Sequence, residues 1–134
     1  MVSVETLRLL ADIGFMATSG GLSPQAAELF RAIELARPDS VLPHIGKALN
    51  CMNMKKHQDA LDVLEKKALP MEPDNDSIKA LIGMALMMMG RNNESERCLQ
   101  VIASSEDKDP MAVEMATALL AKHNKNSGSS APGV

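Results

Sequence analysis

The feature that most restricts how this chain can fold is a set of small residues recurring at an almost constant interval. Gly14, Ala48 and Gly83 are separated by 34 and 35 residues. Each is followed by a glycine or lysine after seven residues, an alanine or serine five residues later, and a large apolar residue four beyond that. The three sets are Gly21, Ala26 and Phe30; Lys55, Ala60 and Leu64; and Gly90, Ser95 and Leu99. Such a period predicts a repeated supersecondary unit.

The spacing of this pattern is that of the tetratricopeptide repeat, a helix-turn-helix unit of 34 residues. Apolar residues recur at helical intervals throughout, small anchors let paired helices approach closely, and glycine permits a tight turn. We therefore expect an all-α fold of three helix pairs and a C-terminal capping helix, forming a short right-handed solenoid. The repeat's usual Trp and Tyr positions are held here by Leu10 and Ala17, His44 and Cys51, and Lys79 and Leu86.

Proline-containing loops set the expected boundaries of a single domain over residues 1–122. The repeats span about 7–40, 41–75 and 76–110, followed by a capping helix at 111–122 and a polar, disordered tail at 123–134. The second unit has one extra residue near "KKALP", and a few more precede Pro110. Ser23 is the expected N-cap of its helix, with Pro24 at the first helical position. Asn75 or Asp76 is expected to accept backbone N–H groups where the third unit begins.

Composition and motifs exclude several classes of function. A net charge of -3 and 1% aromatic residues argue against nucleic-acid binding. Charged residues interrupt the N-terminal apolar run and no apolar stretch is long enough to cross a bilayer, so we expect a soluble, cytoplasmic protein. Cys51 and Cys98 are too isolated for a metal motif, and we expect them to be small buried hydrophobes.

No signature of catalysis or ligand chemistry is found in the sequence. It lacks a phosphate-binding loop, an HExxH motif and a recognisable Ser-His-Asp grouping. His44, His57 and His123 are far apart, and the first two are expected at exposed positions at a helix start and a turn. "EPDNDS" lacks the glycine and terminal glutamate of a calcium loop. We expect no enzyme, no cofactor and no metal site.

Methionine is the unusual component, with 11 copies against no Trp, no Tyr and two Phe. The repeat register turns positions 5, 9 and 12 of each first helix toward a concave groove, and part of "GMALMMMG" then faces that groove. Aliphatic and thioether side chains suit the apolar face of an amphipathic helix. Alternatively, Met84 and Met87 fill the core. The predicted groove residues are Phe15, Ile45, Leu49, Met52, Met84, Met87 and Met88.

Several longer stretches, between about Leu7 and Leu120, resemble one branch of the repeat proteins. They are "LLADIGFMATSGGLSPQAAELF", "ALNCMNMKKHQDALDVLEKKALP", "ALIGMALMMMGRNNESERCL" and "SSEDKDPMAVEMATALL". Together they are similar to the needle-subunit chaperones of bacterial type III secretion systems, the G-type component. The resemblance implies a cytoplasmic chaperone that binds the amphipathic C-terminal helix of the needle subunit and prevents premature polymerisation. It also implies a small helical-hairpin co-chaperone near the N-terminal repeat.

Two other functions fit the same repeats. One is a chaperone of the type III translocator proteins, which are usually served by longer chaperones with clearer aromatic repeat positions. The other is a general adaptor that grips an extended peptide by its backbone. An adaptor of that kind needs Asn and basic residues in the groove, where Lys79 is the one obvious candidate.

Overall fold

The computed structural model describes residues 3–104 and 109–130, with side chains as far as His123. The chain divides into two compact units, Met1–Pro73 and Asp74–Val134. All regular elements within the described ranges are helical. The predicted all-α class and the helix-turn-helix organisation are therefore confirmed.

The first unit contains two helical hairpins. Its elements are α1 (Val4–Ser19), α2 (Ser23–Ala36), α3 (Leu42–Asn53), α4 (His57–Val63), a π-helical turn (Leu64–Ala68) and the short α5 (Leu69–Met71). The first hairpin, α1–α2, packs against α3, and α3 packs against α4 and the π-helical turn to form the second hairpin.

The core of the first unit is built around the ring of Phe30, which is fully buried. A Cβ atom on Gly14 would lie 2.7 Å from this ring, and a Cβ atom on Gly46 would overlap it. The ring thus joins α2 to the glycine faces of both α1 and α3. Leu7, Ala11, Ala26 and Ile33 complete the cluster.

The second unit is a helical hairpin with one further helix. It consists of α6 (Asp76–Met88), α7 (Asn92–Ala103) and α8 (Pro110–Ser130). The third hairpin, α6–α7, contacts α8 through both of its helices. Its core cluster is formed by Ala80, Leu99, Ile102, Ala112 and Ala116.

The third hairpin closes on the backbone of Gly83. A Cβ atom there would lie 2.6 Å from Leu99, and the Oγ of the buried Ser95 donates a 2.6 Å hydrogen bond to the Gly83 carbonyl oxygen. At the start of α6, Asn75 Oδ1 accepts the backbone N–H of Ile78 at 3.1 Å, so the predicted cap is confirmed.

All three hairpins use the same turn. Gly21, Lys55 and Gly90 have φ values of 81°, 61° and 79°, in the left-handed region. In each hairpin, the N–H of the following residue reaches back five residues to a carbonyl of the preceding helix, at 2.8, 2.8 and 2.9 Å. This is the Schellman geometry that ends a helix. The sequence spacing therefore corresponds to a repeated backbone turn, with lysine in place of glycine in the second hairpin.

The extra residue near "KKALP" is accommodated without a break in the helix. The N–H of Leu69 bonds to the carbonyl of Leu64, five residues back, and the widened turn covers Leu64–Ala68. A π-helical turn of this kind is the usual way in which a helix takes up one inserted residue. Leu64 and Ala68 both remain fully buried. The other expected insertion, before Pro110, lies at 105–108, outside the described residues.

Two local expectations differ from the structure. Ser23 is the first residue of α2, and the N-cap is Leu22, which has no side chain able to accept a hydrogen bond. The backbone N–H of Leu22 takes part in the preceding turn, where it donates a hydrogen bond to the carbonyl oxygen of Ala17. Helix α8 continues past Lys122 to Ser130, a stretch without proline. His123 Nε2 lies 3.3 Å from Glu96 Oε1 on α7. Residues 131–134 of the predicted tail lie outside the described residues.

Candidate partner-binding surfaces

In the first unit, three of the predicted groove residues are half-buried on adjoining helices. Phe15 lies on α1 with its ring 5.4 Å from that of Phe30, and Ile45 and Leu49 lie on α3. Met52 is 4% exposed, so its side chain offers a partner almost no surface. Helices α1 and α3 pack against each other, which places an incompletely covered apolar group on each of two neighbouring helices.

A polar clasp fixes the C-terminal ends of these two helices. Thr18 Oγ1 donates to Asn50 Oδ1 at 3.4 Å, and Asn53 Nδ2 donates to the Thr18 carbonyl oxygen at 2.8 Å. Asn50 Nδ2 also donates to the carbonyl oxygen of Ser23 at 3.0 Å. These bonds satisfy carbonyl groups at the turn and hold α1 beside α3. Asparagine is a poor residue for a helix interior, so Asn50 within α3 was the sequence signal for this clasp.

In the second unit, the methionine run of α6 is only partly covered. Met84 and Met87 are half-buried, with Met87 packed against the core cluster, and Met88 is 49% exposed. The remaining apolar residues of α6 are buried. A polarizable, unbranched side chain can change rotamer to follow an incoming surface. The run therefore offers adjustable apolar area, and its use by a partner stays a prediction.

A second apolar surface, which the sequence reasoning missed, lies on the outward side of α1. Leu9, Ile13 and Met16 are 61%, 47% and 72% exposed, and their i, i+4, i+7 spacing puts them on one stripe. We call this stripe the outer α1 face. At the matching positions of α3, Pro43 and Asn50 are buried and Lys47 pairs with Glu34 of α2. In α3, these positions are covered by the preceding hairpin. Among the described residues, no hairpin covers the corresponding positions of α1.

The burial of the histidines and cysteines differs from what the sequence indicates. His44 is 9% exposed rather than exposed as expected, since repeat position 4 faces the interior, and burial lowers the pKa of its imidazole. Cys51 and Cys98 are half-buried, less covered than expected, and burial raises the pKa of the Cys51 thiol. The part of the chain that the structure describes contains no grouping of three or more His, Cys, Asp or Glu able to hold a metal ion.

Charge pairs near these surfaces are few and local. Lys47 Nζ lies 2.6 Å from Glu34 Oε2, and this hydrogen bond lowers the pKa of the Glu34 carboxyl. Arg91 is paired with Glu94 at 2.6 Å at the start of α7. The half-buried groove residues themselves are uncharged, so contact with them has to be apolar.

The repeated turn, the glycine-faced packing and the accessible apolar residues together define a helical-repeat protein of the interaction class. The family model for the tetratricopeptide repeat matches residues 52–122, more than half of the chain, and the chain belongs to this family. The first hairpin lies outside the matched segment but has the same turn. A search of curated proteins finds no match to the chain.

Family membership establishes the general role. Tetratricopeptide repeats are protein–protein interaction modules and are typically non-catalytic. None of the described helices has the length and apolar character needed to cross a membrane.

Proposed function

We propose that this protein is a cytoplasmic chaperone of a bacterial type III secretion system that holds the amphipathic C-terminal helix of the needle subunit and so prevents premature polymerisation. The observation that supports this most is the chemistry of repeat position 9. In all three hairpins this position carries a half-buried apolar side chain: Phe15, Leu49 and Met84. In the third hairpin, Met87 and Met88 add further accessible apolar area on the helix that carries Met84.

An amphipathic helix fits half-buried apolar side chains of this kind better than an extended peptide does. An extended peptide exposes its backbone N–H and C=O groups, and a groove that binds it has to supply polar side chains. A helix satisfies its own backbone and presents an apolar stripe. Full burial of one large apolar side chain contributes roughly 1.5–3 kcal/mol, less for residues that are already half-buried, and association has to offset ordering costs. Several contacts are therefore needed, as a helix with i, i+3, i+4 and i+7 anchors provides.

The outer α1 face supports a second partner, the helical-hairpin co-chaperone near the N-terminal repeat. Leu9, Ile13 and Met16 occupy the positions that in α3 are covered by a preceding hairpin. A helical hairpin docked here would continue the packing pattern that α1 and α2 make with α3. The needle-subunit helix and the co-chaperone would then use different faces of the first unit.

The general adaptor remains the alternative that family membership alone supports. Co-expression with the small helical proteins encoded beside the gene, followed by native mass spectrometry, separates the two. A 1:1 or 1:1:1 complex with a needle-sized, polymerisation-prone helix is the expected result. A monomer or homodimer that ignores every needle-like neighbour and captures a larger protein instead would overturn the chaperone proposal.

A matched pair of substitutions tests the surface itself. Met88→Asp adds a charge to the run where Met88 is already 49% exposed, so we expect about tenfold or greater loss of affinity for the client with little change in melting temperature. Leu35→Asp is the control, because Leu35 on α2 is 76% exposed and belongs to neither apolar surface. Equal binding by the two variants would remove the methionine run from the binding site.

A further inference from the structure

The second unit contains a shallow pocket of roughly 330 Å³ between α6 and α7, which we call the Lys79 pocket. Its walls combine two cationic and two aliphatic side chains with one thiol. It is lined by Lys79, Arg97, Cys98, Val101 and Ile102. Within the described ranges, no carboxylate lies within ion-pair distance of Lys79 or Arg97. The nearby Glu94 is engaged by Arg91.

Comparison with the first hairpin explains why this pocket exists. Lys79 and Cys98 occupy the repeat positions of Leu10 and Leu29, both of which pack against the core cluster of the first unit. The third hairpin therefore has a flexible cation and a small thiol where the first hairpin has two leucines. The pocket is an unfilled equivalent of a leucine pair.

The same comparison shows a reversal of charge. Arg97 occupies the repeat position of Glu28, so an acidic surface residue in the first hairpin is replaced by a basic one beside the pocket. Two cations that have no ion-pair partner among the described residues, next to an aliphatic wall, attract a group that is both anionic and apolar. Guanidinium and ammonium groups form their strongest hydrogen bonds with carboxylates.

We propose that the Lys79 pocket is a docking site for an acidic and an aliphatic side chain of a partner polypeptide. The carboxylate binds Lys79 and Arg97, while the aliphatic group packs on Val101, since Ile102 is only 1% exposed. Val101 is 63% exposed and the pocket is open to solvent, so a small free acid would leave much of its apolar part in water. A helix presents a Glu and a Leu on one face at i, i+4 and gains further contacts outside the pocket. This inference does not depend on the proposed chaperone function.

Three probes test the chemistry by amide NMR titration of the full chain. They are a synthetic helical peptide with Glu and Leu four residues apart, the same peptide with Glu replaced by Gln, and 4-methylpentanoate. We expect the acidic peptide to shift the signals of Val101 and Ile102 and to bind about tenfold more tightly than the Gln peptide, because it retains the charge-assisted bonds. We also expect it to bind more tightly than 4-methylpentanoate, which has few atoms to contribute.

Each contrary result overturns a defined part of the proposal. Equal binding of the Glu and Gln peptides would show an apolar crevice without carboxylate recognition. Tighter binding of 4-methylpentanoate than of the acidic peptide would make the pocket a small-molecule site. Peptide-induced shifts confined to other helices would place the binding surface elsewhere.

Two variants connect the result to the named residues. Lys79→Leu with Cys98→Leu recreates the leucine pair of the first hairpin, and we expect it to fill the pocket, abolish peptide binding and keep or raise the melting temperature. Arg97→Gln removes one charge without filling the pocket. We expect this variant to bind the acidic peptide more weakly, and its affinity to change less with salt concentration. Arg31→Gln, an exposed site on α2, is the control. Retained affinity in both pocket variants would exclude this pocket as the binding site.

Discussion

The first and third hairpins have the same backbone turn, but different side chains fill the space between their helices. Gly21 and Gly90 end their helices with nearly the same φ, 81° and 79°. Behind the turn, the first hairpin is filled by the rigid ring of Phe30, whereas the third relies on Leu99 and a hydrogen bond from Ser95 to Gly83. The repeat thus requires the turn and a close contact between the two helices. Different side chains can fill the space between those helices.

The difference also affects what each hairpin leaves exposed. The first hairpin closes its interior with Leu10 and Leu29, and its exposed apolar groups form the outer α1 face. The third hairpin has an unfilled pocket beside Lys79 and a partly exposed methionine run. Two copies of one backbone pattern therefore present two different binding chemistries.

The largest expected effect comes from removing the ring that the first hairpin depends on. Phe30→Ala should lower the free energy of unfolding by about 3–5 kcal/mol, because the ring fills space against two glycine faces. Leu99→Ala removes a smaller side chain with one glycine face, so we expect a smaller loss within the usual range of about 2–5 kcal/mol. Urea unfolding followed by circular dichroism gives both values. A larger loss for Leu99→Ala would reverse the comparison.

The glycine faces provide the next test. Gly46→Ala would place a methyl group into the Phe30 ring, and overpacking of this kind costs about 1–3 kcal/mol. The double variant with Phe30→Leu should cost less than the sum of the two single variants, because a smaller side chain makes room for the methyl group. A double-mutant cycle measured by urea unfolding reports the coupling. If the losses of the two single variants simply add in the double variant, the Phe30 ring is not the reason why position 46 needs glycine.

The turn of the second hairpin offers a stabilising change. Lys55 has a φ of 61°, a conformation that costs a residue with a Cβ about 1 kcal/mol and costs glycine little. Lys55→Gly should therefore raise the free energy of unfolding by up to about 1 kcal/mol. Gly90→Lys, the reverse change in the third hairpin, should lower it by a similar amount, and thermal melting of both variants checks the pair. The same sign in both would contradict the shared-turn interpretation.

The smallest expected effect concerns pH and repeat position 4, which holds Leu10, His44 and Lys79 in the successive hairpins. Burial lowers the pKa of His44 in the folded state, so the unfolded state binds the proton more readily. Stability should therefore fall as the pH drops from about 7 toward 5. His44→Leu, which introduces the residue of the first hairpin, should flatten this part of the profile. An unchanged slope in urea unfolding at several pH values would exclude His44 as its source.

The backbone was predictable from the sequence to a large degree because its requirements are local. Gly14, Gly83 and Ser95 have to be small wherever two helices touch, and their spacing is visible without coordinates. The left-handed turn at Lys55 could be predicted from register alone, against the usual preference of lysine. The inserted residue before Ala68 was visible too, but its absorption in a π-helical turn depends on which side chains stay buried.

The candidate binding surfaces were harder to predict because the exposure of a side chain depends on which neighbouring residues fail to cover it. His44 was expected to be exposed as a residue at a helix start, although the repeat register had already placed it at the position that Trp usually holds. The outer α1 face was not predicted because attention to α1 went to the residues on its opposite side, which were assigned to the core. The pocket beside Lys79 follows from comparing side-chain volumes between repeats, which a search for motifs does not do.

The three self-contained turns have a consequence for how fast the protein folds. Each turn closes through hydrogen bonds that span only five residues, so most early contacts are local in sequence. Chains rich in local contacts fold faster than those that must first join distant segments. During synthesis, Phe30 can settle on Gly14 before Gly46 has been made. The first hairpin then forms as a template, with its ring in place, onto which α3 folds as it emerges.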